Sequence, residues 1–309
     1  MLIKTIRRYV MAININDLPN EYKEIYNELI MPVDTNIKLE SVILSDENKE
    51  KIKEFIRETQ YKDILYDYGL EPMNRILMYG ASGTGKTYLS KALSNHLGYT
   101  MLYVDIAKSL SDGDVAKNIS NIFKLGNYLG NCIIFFDECD SIAWNRDAGT
   151  AEGGTVRRAQ NSIFQQLDQM NHSNIFIAAT NMLHRLDAAF ERRFNLKLEF
   201  RRPSLDIKDC IHHFIFPKFI IDDDVDETTV DIIDRRAKQY AKLSYYEIQG
   251  IVERAMKKAL LNDTNIVKTS DIYRDLAVSM NVKIKFGTGV DPEEIFHNKN
   301  HYDASLRAN

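Results

Sequence analysis

Residues Gly80-Ala81-Ser82-Gly83-Thr84-Gly85-Lys86-Thr87 spell the pattern G-x-x-x-x-G-K-[ST], and each part of it has a physical reason. Three glycines let backbone N–H groups turn inward around phosphate oxygens, at the N-terminus of a helix whose dipole also favours negative charge. A lysine at position 86 reaches the β- and γ-phosphates of a nucleotide, and the Thr87 hydroxyl ligates Mg²⁺. Such a loop needs a strand before it and a helix after it. Arg75–Tyr79 reads as a buried strand, and Tyr88–Leu97 has helical apolar spacing. Gly80, Ser82, Gly83, Thr84, Gly85, Lys86 and Thr87 are therefore the expected cradle for ATP.

A second element, Ile133-Ile134-Phe135-Phe136-Asp137-Glu138, follows about fifty residues later. An apolar run ending in two carboxylates is what a buried strand becomes when its C-terminal end opens onto a ligand crevice. Asp137 is expected to join Thr87 in holding Mg²⁺, and Glu138 to orient and deprotonate the attacking water. A core strand capped by solvated acids would look the same in isolation. The loop upstream decides for chemistry, and together the two motifs mark a nucleoside-triphosphate hydrolase using ATP and Mg²⁺.

The 309 residues are 44% hydrophobic and 27% charged, enough for one large and one small domain. A formal net charge of −4 gives no global basic field, so nucleic acid is not an expected partner. No apolar stretch approaches the length of a membrane span, and the three cysteines have no paired metal spacing. These features read as a cytoplasmic enzyme, with Cys132 and Cys139 as small core filler beside the acidic strand.

Extended segments at Ile76–Tyr79, Met101–Asp105, Cys132–Phe136, Asn174–Ala179 and Lys197–Phe200 alternate with helical ones. That alternation predicts an α/β fold with a parallel sheet covered on both faces. Lys38–Leu44 reads as an extended lead-in, and Asp46–Thr59 as an amphipathic helix with an acidic cap. After Arg201-Arg202-Pro203 the pattern changes to helices without strands, one of them starting at Leu243-Ser244, while Asp222–Asp224 reads as a solvated turn. The expected organisation is an N-terminal segment over 1–35 for recruitment, a P-loop NTPase domain over 36–202, a smaller all-helical lid domain over 203–285 and a polar tail over 286–309.

The ordered motifs resemble the AAA+ ATPases, and among them the AAA group of protein-remodelling ring ATPases. The resemblance runs from about Leu39 to Met280. Beyond the two motifs it rests on Tyr68-Gly69-Leu70-Glu71-Pro72, on Asp137-Glu138-Cys139-Asp140-Ser141-Ile142-Ala143, on Ala178-Ala179-Thr180-Asn181, and on Leu186-Asp187-Ala188-Ala189-Phe190-Glu191-Arg192-Arg193-Phe194. It implies that Asn181 is a sensor of the γ-phosphate or the water, at the end of a strand lying between the loop strand and the acidic strand. It also implies that Arg192 and Arg193 are arginine fingers reaching a neighbouring subunit's nucleotide, in a homo-oligomer that is a hexamer.

Departures from the family pattern bear on function. Ser82 replaces a proline common in the loop, which leaves the backbone cradle intact. The family's polypeptide-threading members carry an aromatic and an aliphatic residue before Gly113, where this chain has Ser111 and Asp112. Neither side chain supplies apolar grip on an extended chain; Leu110 is the nearest apolar residue. The Gly-rich segment 147–154 sits where a second pore loop is expected. Two function classes follow: a ring-forming ATPase that remodels a protein substrate or complex, or an ATP-dependent assembly switch or scaffold serving a partner enzyme or nucleic-acid machine.

Overall fold

The structure is a computed structural model that describes residues 15–111, 114–143, 151–202, 207–240 and 243–280. Asp112, Gly113, residues 147–150 and the tail assigned to 286–309 lie outside the described residues. The chain divides into two compact units, Met1–Phe200 and Arg201–Asn309.

In the first unit the strands are β1 (Ile30–Met31), β2 (Arg75–Gly80), β3 (Thr100–Val104), β4 (Cys132–Phe136), β5 (Ile175–Thr180) and β6 (Leu196–Phe200). Its helices are α1 (Asn20–Leu29), α2 (Asp46–Gln60), α3 (Lys62–Asp67), α4 (Lys86–Leu97), α5 (Ile106–Ser111), α6 (Val115–Leu129), α7 (Asp140–Ala143), α8 (Ala151–Gln169) and α9 (Ala188–Glu191). The strands form one six-stranded sheet in the order β1-β3-β4-β5-β2-β6. From β3 to β6 every pairing is parallel.

Alternation along the strands explains why both faces are covered. In β4, Ile133 and Phe135 enter one core cluster while Ile134 and Phe136 enter the other. In β5, Phe176 and Ala178 face the first cluster, and Ile175, Ile177 and Ala179 the second. The first face is closed by Ile25 and Leu29 of α1, Ile119 and Phe123 of α6, and Ala159 and Ile163 of α8. The second is closed by Ile52 and Phe55 of α2 and by Leu89, Ala92 and Leu93 of α4. Each fully buried Phe, Ile or Leu contributes about 1.5–3 kcal/mol, so these two clusters fix the strand order and register.

Three local expectations are corrected. The sheet has an antiparallel edge, β1, with Ile30 opposite Val104 and Met31 opposite Tyr103; two residues are too few to display a strand's period. Lys38–Leu44 is not continuously extended, because Leu39–Ser41 closes a 3₁₀ turn. The cap of α2 is Ser45, whose hydroxyl accepts from Asn48 N at 3.3 Å, and Asp46 is its first helical residue.

The second unit holds α10 (Ile207–Phe214), α11 (Glu227–Tyr240), α12 (Tyr245–Leu261) and α13 (Thr269–Ser279), around a core that includes Ile211, Ile233, Val252 and Leu276. Ser244 and Glu247 form a reciprocal capping box at the start of α12. The unit is not all helical: β7 (Ile220–Asp222) and β8 (Ile266–Lys268) pair in parallel. Each is three residues long and carries mostly exposed side chains, so no apolar run announces it. The acidic run is also more than a solvated turn. Asp224 is exposed, yet its carboxylate accepts from Ser270 N (2.7 Å) and Ser270 Oγ (2.6 Å) at the first turn of α13.

Candidate active site

Parallel strands carry their C-terminal ends to one edge of the sheet, and the first unit's motifs gather there. The loop Gly80–Gly85 joins β2 to α4. Gly80 has φ +139°, and a Cβ placed on it would stand 1.9 Å from the carbonyl oxygen of Phe200 in β6. Only glycine fits. Gly83 and Gly85 also adopt positive φ, +73° and +104°, a conformation that glycine reaches without a Cβ penalty. Thr84 is buried and donates to the carbonyl of Ala81 at 2.7 Å, while Ser82 is exposed at the loop's tip.

Lys86 is 6% exposed. Its ammonium donates to the carbonyls of Gly80 and Ala81 and to Asn181 Oδ1, each at 2.8 Å, which uses all three of its N–H donors. Burial lowers its pKa below the ordinary lysine value, and the carboxylates of Asp137, Asp140 and Glu138 oppose that shift.

Asp137, just past β4, is held by three donors. Its Oδ2 accepts from Thr87 Oγ1 (2.7 Å) and from Tyr103 OH (3.0 Å), and its Oδ1 from Glu138 N (3.1 Å). Glu138 is exposed and has φ +51°, a left-handed conformation that costs a non-glycine residue on the order of 1 kcal/mol. The turn holds because Cys139 N donates to Ala179 O at 2.9 Å and because Ser141 donates to the Glu138 carbonyl. Asp140 accepts from Thr180 Oγ1 at 3.0 Å, and the same Thr180 oxygen accepts from Met182 N. Those bonds fix the end of β5 on either side of Asn181. A cleft of about 750 Å³ opens beside the acidic pair, lined by Met31, Tyr103, Val104, Asp105, Ile106, Ala107, Leu110, Asp137, Glu138 and Ser141.

The expected site residues thus fall into two groups. Lys86 is bonded to Asn181 and its neighbour Thr87 to Asp137, with Glu138 adjoining. Arg192 and Arg193 stand elsewhere, following α9. Arg192 is exposed. Arg193 is turned toward α8: its guanidinium lies 4.6 Å from the Phe164 ring centroid, and its Nε 3.7 Å from Asp168 Oδ1. Tyr103, Thr180 and Asp140 are contributors to the site that the motifs did not assign.

Elsewhere, Leu110 packs against the first core cluster. Of the Gly-rich segment expected as a second pore loop, residues 151–154 form the start of α8. Cys132 and Cys139 are buried free thiols, and burial pushes the Cys132 pKa up to about 12 and the Cys139 pKa up as well. Low-pKa reactivity is not their chemistry.

Comparison with known proteins decides the family. A family model described as "ATPase family associated with various cellular activities (AAA)" matches residues 76–202. An uncharacterized AAA family ATPase, y4kL of Sinorhizobium fredii, is 30% identical over 240 residues, spanning 76% of this chain and 69% of that protein. The chain belongs to the AAA family. It is accordingly an ATPase. Other relatives include a 26S proteasome regulatory subunit 6B homolog of Encephalitozoon cuniculi, 32% identical over 68% of this chain and 55% of that protein. The ATP-dependent zinc metalloprotease FtsH 1 of Alkaliphilus metalliredigens is 31% identical over 58% of this chain and 31% of its own length. The AAA chain therefore spans only part of these two relatives. A crystal structure of the FIGL-1 AAA domain superposes with a TM-score of 0.63 at 18% identity, covering 92% of this chain and 95% of that one; it bears on the fold alone. Among the described residues no helix is long and apolar enough to cross a membrane.

Proposed function

We infer that this AAA ATPase acts as a ring-forming remodelling enzyme, in which ATP hydrolysis moves a protein substrate or complex. The observation that carries this reading is the bonded set Lys86–Asn181 and Thr87–Asp137 at one sheet edge, with Glu138 beside it. Proteasome regulatory and FtsH relatives support the remodelling class.

Each residue then has a role. The loop amides of Gly80, Ser82, Gly83, Thr84 and Gly85 receive phosphate oxygens, and Lys86 neutralises the β- and γ-phosphates. Thr87 and Asp137 offer a hydroxyl and a carboxylate, the hard oxygen donors that suit Mg²⁺. These two residues would hold the ion, which when bound would supply positive charge to offset the charge developing on the phosphates. Glu138 takes a proton from the attacking water, and the Asn181 amide orients that water or the γ-phosphate. Arg192 and Arg193 act on a neighbour's nucleotide, a contribution of about a thousandfold or more in turnover. Their position apart from the chain's own loop suits action in trans. A heterologous contact of this kind closes into a ring, for which we propose a hexamer. Residues 203–285 serve as the lid, and residues 1–35 recruit partners from a segment whose α1 is built into the first unit. Buried free thiols suit a reducing cytoplasm.

One observation favours the second reading, an ATP-driven assembly switch or scaffold. Leu110, the nearest apolar residue to Ser111 and Asp112, is partly engaged in packing against the first core cluster, which reduces the apolar surface it offers for grip.

Mixing inactive subunits tests the shared site. Arg192→Ala/Arg193→Ala subunits, which keep their own loops, are expected to regain hydrolysis when combined with Lys86→Ala subunits that supply intact fingers. An inert mixture in which mixed assemblies are demonstrably present would contradict action in trans.

A further inference from the structure

Asp137 Oδ2 receives two hydroxyl donors, Thr87 Oγ1 at 2.7 Å and Tyr103 OH at 3.0 Å. A carboxylate oxygen offers about two lone-pair directions, so these bonds saturate Oδ2. Oδ1 carries a single bond, from Glu138 N at 3.1 Å, and keeps a free direction. The two oxygens are therefore inequivalent, and Tyr103 helps to make them so.

Tyr103 is well built for this task. It is the penultimate residue of β3 and pairs with Phe135 of β4 in the parallel ladder, two residues before Asp137. Its ring lies against Phe135, with centroids 5.2 Å apart and planes at 50°, and packs on the second core cluster. A phenol on a strand paired on both sides reaches its acceptor with few rotatable bonds, so its hydroxyl stands at a fixed point. Thr87, by contrast, has its own duty as a cation ligand. A threonine hydroxyl that donates its hydrogen to Asp137 leaves its lone pairs free for the ion.

We propose that Tyr103 is a positioning residue for ATP hydrolysis: its hydroxyl locks the Asp137 carboxylate so that Oδ1, not Oδ2, is presented to the cation shell. This rests on the assignment of Asp137 as the cation-holding carboxylate. If Tyr103 were only an aromatic core residue, phenylalanine would serve equally well. Outer partners that orient a metal-binding carboxylate commonly matter about tenfold or more for affinity.

The test is Tyr103→Phe in the full chain, which removes one oxygen and keeps the packing. A fluorescent methylanthraniloyl ATP is bound to Glu138→Gln protein, with and without Tyr103→Phe, while Mg²⁺ is titrated. The expected result is an Mg²⁺ midpoint raised about tenfold, with binding in EDTA and the melting temperature unchanged, and a lower kcat in the otherwise intact enzyme. An Mg²⁺ midpoint and kcat equal to the parent's would overturn the proposal, as would a shift that merely accompanies a lower melting temperature. Asp137→Asn separates the two levels. If it abolishes the Mg²⁺ dependence while Tyr103→Phe leaves it intact, the inference fails and the site reading stands; if Asp137→Asn leaves it intact, the site reading itself fails.

Discussion

Asn181 Oδ1 accepts a hydrogen bond from Lys86 Nζ at 2.8 Å, between residues 95 apart in sequence. The bond exists because β5 lies beside β2, which sets the amide at the end of one strand against the ammonium beyond the other. Asn181 and Lys86 thus form one bonded unit, with every lysine donor engaged.

Lys86→Met is expected to lower ATP affinity at least about a hundredfold, since it removes a charge-assisted contact to phosphate. Stability should hold within about 1 kcal/mol, because the lost bonds are offset by relief of a desolvated charge. Calorimetric titration with ATP and a thermal melt read the two effects; unchanged affinity would remove Lys86 from the site.

Glu138→Gln should bind ATP normally and hydrolyse it about a hundredfold to ten-thousandfold more slowly, the usual range for loss of a general base. Single-turnover kinetics separate that from a binding defect. Turnover at the parent rate would mean that another group takes the proton.

Gly80→Ala is expected to destabilise the first unit by at least about 3 kcal/mol, combining left-handed strain with a backbone collision. The collision is with the Phe200 carbonyl oxygen, 1.9 Å from the added carbon. A denaturant titration measures it, and a parent-like midpoint would show that the loop relaxes freely.

Much of this was legible before the fold was known. The glycine-rich loop pattern and the acidic strand are contiguous in sequence, so Gly80–Thr87, Asp137 and Glu138 could be picked out directly as candidates, and the structure brings them to one edge of the sheet. The parallel sheet was legible from alternating strands and helices. Tyr103 was not, because its role depends on β3 lying beside β4, and strand order is a property of long-range packing. Nor were β1, β7 and β8, whose two or three residues are too few to show a period. Asp224 looked solvated because its partners, Thr269 and Ser270, are separated from it by more than forty residues of sequence.

The two arginines should separate by stability. Arg193→Ala removes the stack on Phe164 and the ion pair with Asp168, and is expected to cost about 1 kcal/mol. Arg192→Ala, at an exposed position, should leave the melt within about 0.5 kcal/mol. Equal losses in the two variants would mean that the packing of Arg193 on α8 carries no stability.

Asp224 gives the second unit an acid-sensitive tie. Burial alone would raise its pKa, but bonds from Ser270 and Thr269 outweigh it and hold the carboxyl below its ordinary value. A depressed folded-state pKa contributes stability that is present above the unfolded value of about 3.9 and is lost as pH falls through the folded one. The second unit should therefore weaken below about pH 4. Asp224→Asn should lose about 1 kcal/mol at neutral pH, as for a helix cap, and show a flatter acid dependence. Melting curves across that range decide it; parallel curves for parent and variant would exclude the contribution.

The most direct test of the shared-site ATPase is turnover per subunit against protein concentration, with particle mass of the Glu138→Gln protein measured with and without ATP. A steep rise in specific activity, accompanied by an ATP-induced mass near that of a hexamer, is the expected result. Concentration-independent turnover by a monomer would contradict it.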